Sequence, residues 1–188
     1  MELYTDTYYI QRIQAGDVAC FACLLDKYSR PIHSLILKVV RSQEEAEELA
    51  QDTFMKVFKN LASFKGDCSF STWIYRIAYN TAVSETRRRK REWACIDQAR
   101  LANLPDSEAE RMDAWEGRQE YLDALARAVG ELEPEERALV TLFYYEEYSV
   151  SECAGITQMS ESNIKVRLHR IRKKLYILVN TQLHGSEK

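Results

Sequence analysis

The stretch ESNIKVRLHRIRKKL, residues 161–175, decides how the second half of the chain folds. Its apolar residues recur at steps of four, three and four positions, which places them on one stripe of an α-helix. They are Ile164, Leu168, Ile171 and Leu175. Most other positions of the stretch carry Lys, Arg or His. The sequence therefore predicts a helix with one buried side and an outer face coated with cations.

The residues in front of this helix indicate a helix-turn-helix. Val150 to Ile156 has the pattern of a short helix, a turn follows through Gln158 and Met159, and Ser160 is a suitable N-cap. This arrangement is used to place a basic helix in the major groove of DNA. A solvated basic face on an ordinary bundle helix is the alternative, because charge alone does not distinguish the two.

Helical periodicity extends over most of the 188 residues, and alternating strand patterns are scarce, so we predict an all-α fold. Asp17 is a candidate cap for an early helix, and Pro31 is a candidate break within it. Ser42 and Glu45 have capping-box spacing at the start of the next helix. A third helix is expected from Thr72 to about Trp93.

Charge and composition divide the chain into two small helical domains. The net charge is only -3, but residues 87–91 are all basic, whereas residues 106–147 hold thirteen Asp or Glu against four Arg. Periodicity is weak from Cys95 to about Gly117, which indicates a linker. We predict a first domain at 1–94, a linker at 95–117 and a second domain at 118–188, where Pro134 opens a helix.

Aromatic residues crowd the loop at 63–71 and the third helix, just before the basic run. Rings beside cations suit single-stranded nucleic acid, because each base stacked on a ring contributes about 1–3 kcal/mol. Helical spacing places Trp73 with Ile77 on one face and Tyr75 with Tyr79 on another. Since one small domain cannot bury both faces equally, we expect one of them to be a working surface. Burial of the aromatic rings in the core is the alternative.

No set of residues predicts catalysis. His33, His169 and His184 are far apart, and no glycine-rich phosphate loop is present. Cys20 and Cys23 form a C-x-x-C without a second pair, so we interpret them as ordinary helix residues. We expect no enzymatic activity, metal, cofactor or small-molecule substrate. Scattered cysteines and the lack of a signal peptide or an apolar run of about 20 residues favour a cytoplasmic protein.

Two long stretches resemble one family. The segment EEAEELAQDTFMKVFKNLASFKGDCSFSTWIYRIAYNTAVSETRRRKR (44–91) resembles region two of the extracytoplasmic-function (ECF) sigma factors of bacterial RNA polymerase. The segment ELEPEERALVTLFYYEEYSVSECAGITQMSESNIKVRLHRIRKKL (131–175) resembles their region four. The two occur in the family's order. One departure is Gln158, which stands where the family usually has glycine in the turn.

The resemblance implies three binding surfaces on one transcription initiation factor that helps to open the promoter. Contact with the core polymerase would involve Glu48, Gln51, Asp52 and Lys56. Capture of the promoter −10 element would involve Phe64, Lys65, Phe70, Trp73, Tyr75, Arg76, Tyr79, Asn80, Arg87 and Arg88. Recognition of the −35 element would involve Ser162, Asn163, Lys165, Val166, Arg167, His169 and Arg170. The family also implies an anti-sigma factor, often membrane-bound, as a partner.

Two other classes of protein are compatible with the residues taken alone. A stand-alone helix-turn-helix regulator would bind duplex DNA without polymerase. A protein-interaction bundle would show no salt-dependent DNA binding. The aromatic and basic third helix favours the sigma factor over both.

Overall fold

A computed structural model of the chain describes residues 5–88 and 119–184, and within these ranges it contains helices and no strand. The first unit comprises α1 (Asp6–Gln14), α2 (Phe21–Val40), α3 (Gln43–Asn60) and α4 (Phe70–Arg88). The second unit comprises α5 (Gln119–Glu131), α6 (Pro134–Val140), α7 (Val150–Thr157) and α8 (Glu161–His184). Short 3-10 helices occupy Val18–Cys20 and Leu61–Ser63. The all-α prediction is confirmed. The predicted linker and the end of the predicted third helix lie outside the described residues.

In the first unit, α2, α3 and α4 pack against one another. Ser42 caps α3 by accepting a hydrogen bond from the Glu45 backbone N–H at 3.4 Å, in agreement with the predicted capping position. Asp17 occupies the N-cap position of the 3-10 helix Val18–Cys20, which leads into α2, but its side chain makes no capping hydrogen bond. Its carboxylate instead accepts a hydrogen bond from Arg12 Nη2 at 2.5 Å, and α2 begins only at Phe21.

The predicted break at Pro31 is wrong, because Pro31 lies inside the continuous helix α2. A proline in a helix interior costs about 3 kcal/mol. The apolar side of α2 nevertheless continues on both sides of it, with Leu24, Ile32 and Leu35 almost completely buried. Burial of such side chains stabilises the helix by about 1.5–3 kcal/mol each, which outweighs the proline.

The second unit begins its helices at the predicted residues. Pro134 occupies the first turn of α6, whose last turn continues as a π-helix over Thr141–Tyr145. Ser160 Oγ accepts a hydrogen bond from the Asn163 backbone N–H at 3.3 Å at the start of α8. Gln158, between α7 and α8, has φ 61° and ψ 30°, which is the left-handed conformation that glycine favours. The predicted short helix and turn are therefore confirmed.

The predicted stripe of α8 forms part of the hydrophobic core, since all four of its residues are buried. One of the cations assigned to the outer face of this helix is not there. Lys174 is 7% exposed, and its Nζ donates to Glu136 Oε2 at 2.8 Å. Tyr144, although it follows the apolar residues Leu142 and Phe143, is 47% exposed.

The two units pack on each other through α4 against α7 and α2 against α6. The side chain of Arg137 from α6 is 1% exposed and donates hydrogen bonds to the backbone carbonyls of Lys38 and Val39, at the end of α2. Buried residues of both units belong to one hydrophobic cluster. In the part of the chain that the structure describes, no helix is long and apolar enough to cross a membrane.

Candidate nucleic-acid and polymerase surfaces

An aromatic cluster lies where the loop after α3 meets α4. The ring centroids of Phe64 and Trp73 are 5.1 Å apart, and those of Phe64 and Phe70 are 5.7 Å apart. Phe70 is 4% exposed and also packs edge-on against Tyr28, whereas Phe64 and Trp73 remain half-buried. Phe70 therefore anchors the cluster in the core. The other two rings and the exposed Lys65 border solvent.

The tyrosine face of α4 is not a free surface, whereas Trp73 and Ile77 on the other face are only half-buried, so the two aromatic faces are unequally buried, as expected. Tyr75 is 2% exposed and Tyr79 is 4% exposed. The Tyr75 hydroxyl donates to Glu146 Oε2 at 2.7 Å, and its ring packs edge-on against Tyr148 at 5.0 Å. Burial and the neighbouring Glu146 carboxylate raise the pKa of Tyr75, and burial raises the pKa of Tyr79 to about 12. The second unit contacts this face, and Tyr75 and Tyr79, both predicted to contact the −10 element, are buried.

The cations of α4 differ in their surroundings. Arg76 Nε donates to the Gly155 carbonyl at 2.9 Å, and Arg87 forms an ion pair with Glu135. Both partners belong to the second unit. Arg88, in contrast, pairs with Glu85 of its own helix at 2.8 Å and is largely exposed.

An open groove between α3 and α4 connects two of the predicted surfaces. It is lined by Asp52 and Lys56 from α3 and by Asn80 and Arg88 from α4. Lys56 Nζ donates to Thr81 Oγ1 at 3.1 Å across this groove. Asn80 is exposed there, so its amide can reach a ligand through both its donor and its acceptor.

The four predicted polymerase-contact residues, Glu48, Gln51, Asp52 and Lys56, are all exposed on α3. Beside them lies an apolar groove between α2 and α3 that the sequence pattern does not predict. Leu25, Met55 and Phe58 line it with 38%, 54% and 41% of their surfaces exposed. Leu25 and Phe58 had the spacing of core residues. The signal that could have revealed the groove is Met55, an apolar residue on the otherwise polar side of α3.

The amino-terminal half of α8 presents most of the predicted −35 residues to solvent. Ser162, Asn163, Lys165, Val166 and Arg170 are exposed, and Val166 is an apolar side chain with 48% of its surface accessible.

The other two predicted −35 residues, Arg167 and His169, are half-buried. Arg167 Nη1 lies 3.1 Å from Glu135 Oε2. Burial opposes ionisation of Glu135, but hydrogen bonds from Arg87 and Arg167 hold its pKa below the usual value.

The cysteines and histidines do not assemble into a site in the described ranges. No group of three His, Cys, Asp or Glu side chains in residues 5–88 and 119–184 has the geometry to hold a metal ion. Cys20 Sγ lies 3.4 Å from Asp17 Oδ2, and burial raises the pKa of this thiol. A raised pKa makes the thiolate scarce, which is the opposite of a reactive cysteine.

Comparison with known proteins agrees with this geometry. The family descriptions Sigma-70 region 2 and Sigma-70, region 4 match residues 24–92 and 122–175. RNA polymerase sigma-H factor of Pseudomonas aeruginosa is 29% identical over 187 residues, covering 90% of this chain and 91% of the relative. ECF RNA polymerase sigma factor SigW of Bacillus subtilis is 27% identical over 174 residues, covering 88% and 92%.

Solved structures share the fold. The structure of CnrH in complex with the cytosolic domain of CnrY has a TM-score of 0.66 at 20% identity, covering 97% of this chain and 99% of the other. The sigma factor RpoE from Bartonella quintana, in complex with the anti-sigma factor NepR, has a TM-score of 0.59 at 21% identity, covering 85% and 96%. These findings favour a factor that works with RNA polymerase over a stand-alone regulator. The chain belongs to the ECF sigma factors of RNA polymerase.

Proposed function

We propose that the chain reads a bipartite promoter as a subunit of RNA polymerase, with a separate task for each unit. Residues 1–94 bind the core enzyme and the opened −10 strand, and residues 118–188 bind the −35 duplex. The observation that carries this proposal is the presence of two exposed surfaces of different chemistry. One combines half-buried aromatic rings with cations, and the other is a capped, cationic helix end.

The −10 surface consists of the aromatic cluster and the groove beside Asn80. The half-buried rings of Phe64 and Trp73 can stack on a flipped base, while Lys65 and Arg88 attract the phosphates next to it. Asn80 provides the directional amide that reads a base edge. The stacking and hydrogen bonds offset the unstacking cost of a few kcal/mol, so strand opening here needs no catalytic chemistry.

The −35 surface is the exposed amino-terminal half of α8. Small polar side chains at Ser162 and Asn163 allow the helix end to approach the duplex closely. Lys165 and Arg170 can then reach phosphates or guanine, and Val166 can contact a thymine methyl group. The buried stripe of this helix fixes the direction in which these residues point.

The exposed side of α3, with the adjoining apolar groove, is the proposed contact with the core polymerase. Polar residues beside exposed Met55 and Phe58 provide the mixture of apolar centre and charged rim that is typical of protein interfaces. An anti-sigma factor is a second proposed partner, in analogy with the complexes formed by the structural relatives. We also propose a cytoplasmic location, because the core polymerase is the proposed partner.

The experiment is transcription with purified chain and core polymerase, from a promoter that the reconstituted holoenzyme selects out of a random library. We expect Arg170→Ala to weaken −35 duplex binding about five- to hundredfold, the range for a base or phosphate contact by arginine. Core binding should not change. Arg172→Ala removes an exposed cation from the opposite flank of the same stripe and is the matched control. Failure to bind core, or equal losses in the two variants, would refute the proposal.

A further inference from the structure

Helix α1 ends against the loop that carries the first ring of the aromatic cluster. The side-chain amide of Gln14, the last residue of α1, donates to the backbone carbonyl of Leu61 at 3.1 Å and to that of Phe64 at 3.3 Å. One amide group has two hydrogens, so it can serve both carbonyls at the same time. The two bonds tie the segment 61–64 to a residue that precedes Leu61 by 47 positions.

The segment that Gln14 holds is a short turn next to an exposed loop. After α3 the chain makes a single 3-10 turn, Leu61–Ser63, and then reaches Phe64. The Phe64 N–H donates to the Leu61 carbonyl at 3.1 Å, and residues 65–67 are exposed. The Phe64 carbonyl lies past the last bond of the turn, where a helix end leaves carbonyls without a helical partner. Gln14 provides that partner from another helix.

The other end of α1 contacts the same cluster through Tyr28. Asp6 Oδ2 accepts a hydrogen bond from the Tyr28 hydroxyl at 2.6 Å. Tyr28 is 5% exposed, and its ring packs edge-on against Phe70 with the centroids 5.5 Å apart. Ile10, between the two ends of α1, is 4% exposed and belongs to the hydrophobic core. The core therefore fixes α1, and both ends of this helix are bound to residues that hold the cluster.

Phe64 is thus restrained on two sides. Its ring packs against Phe70 and Trp73, while its backbone carbonyl is held by Gln14. A ring that stacks on a base binds more tightly when its position is fixed in advance, because less conformational entropy is lost on binding.

We propose that Gln14 is a positioning residue for capture of the −10 strand, whose amide keeps Phe64 where its ring can stack on a flipped base. Gln14 acts through Phe64 and does not itself bind the DNA. The inference rests on the proposed function of the aromatic cluster. Without the amide, fewer molecules have the ring in place, and the apparent affinity for the strand falls by the same factor.

The first test removes the two donors and retains the shape of the side chain. Gln14→Glu replaces the amide by a carboxylate, which has no hydrogen to donate. Binding of the −10 strand of the library-selected promoter by the core-bound chain, measured by fluorescence anisotropy, should weaken about three- to tenfold. Gln11→Glu is the matched control, because it adds the same charge at an exposed site on the same helix and should leave binding unchanged. Equal losses in the two variants would overturn the proposal.

The second test determines whether Gln14 acts through Phe64. Phe64→Ala removes the stacking ring and should weaken strand binding about five- to hundredfold, the range for one stacked base. In this background Gln14→Glu should cause no further loss, because the ring whose position it controls is absent. A loss from Gln14→Glu that is equally large with and without the ring would indicate a separate contact with the DNA and would overturn the positioning role.

Hydrogen exchange of the chain without DNA, followed by mass spectrometry, tests the restraint itself. Gln14→Glu should speed exchange in a peptide covering residues 61–69 about threefold or more, whereas Gln11→Glu should not. Both variants should bind core polymerase as tightly as the unmodified chain, which shows that the first unit remains folded.

Unchanged exchange in Gln14→Glu would overturn the restraint, and loss of core binding by this variant would replace a specific role with a general loss of folding. Faster exchange in a chain whose strand binding does not depend on Phe64 would instead contradict the proposed function of the aromatic cluster.

Discussion

Replacement of Gln158 by glycine tests whether the turn between α7 and α8 is strained. Gln158 has φ 61°, and this conformation costs an L-residue with a Cβ about 1–2 kcal/mol. Glycine avoids that cost but loses about 0.5–1 kcal/mol more conformational entropy on folding. The Gln158 side chain is exposed, so little packing is lost with it. The expected net gain is about 0.5–1 kcal/mol, which corresponds to a Tm increase of about 1–4 °C for a chain of this size.

Thermal unfolding of the full chain, followed by circular dichroism, measures this difference. Gln158→Ala is the matched control, because it removes the side chain beyond Cβ and retains the strained conformation. The alanine variant should melt at or slightly below the temperature of the unmodified chain, with the glycine variant above both. If glycine melts no higher than alanine, the left-handed conformation does not cost what we infer.

Three further predictions concern the interface and the groove. Arg137→Met leaves two carbonyls at the end of α2 without their buried donor. It should lower the free energy of unfolding, measured in urea, by about 3–5 kcal/mol. The control Arg127→Met changes an exposed site and should lower it by less than about 0.5 kcal/mol. Asn80→Ala should weaken binding of the −10 strand by the core-bound chain about fivefold, measured by fluorescence anisotropy, whereas Ser84→Ala on the same exposed groove should not. The pKa of Glu135 is lowered, so its ionised form, paired with Arg87 and Arg167, stabilises the folded chain at pH values above the ordinary pKa of 4.5. This contribution is lost as the pH falls through the lowered pKa. The difference in the free energy of unfolding between the unmodified chain and Glu135→Gln should therefore disappear under acidic conditions, and a difference that persists would contradict this assignment.

The elements of each unit could be predicted because their signals are local. The stripe of α8 and the start residues Pro134 and Ser160 depend on spacing within a few residues, and the structure confirms all of them. Pro31 shows the limit of such signals. Its local rule predicts a break, but the burial of apolar residues on both sides of it outweighs that rule.

The surroundings of the candidate site could not be predicted, because they depend on contacts between distant parts of the chain. Tyr75 and Glu146 are 71 positions apart, and Arg87 and Glu135 are 48 positions apart. Lys174 was assigned to the surface because it is charged, although its partner Glu136 lies 38 positions earlier. No periodicity within one helix carries information on such pairs. The sequence therefore predicts the exposure of a side chain only within its own domain. It does not reveal that Glu146 and the second unit bury Tyr75.

The contact of Arg137 with the end of α2 has a consequence for synthesis of the chain. Val39 and Arg137 are separated by 98 positions, so the helix leaves the ribosome well before the side chain that completes it is translated. At about 5–20 residues per second, the interval is roughly 5–20 seconds. During this time the carbonyls of Lys38 and Val39 lack their donor Arg137, and the tyrosine face of α4 is exposed to solvent. A nascent chain thus exposes the tyrosine face of α4, part of its predicted strand-binding surface, before the half that covers this face exists.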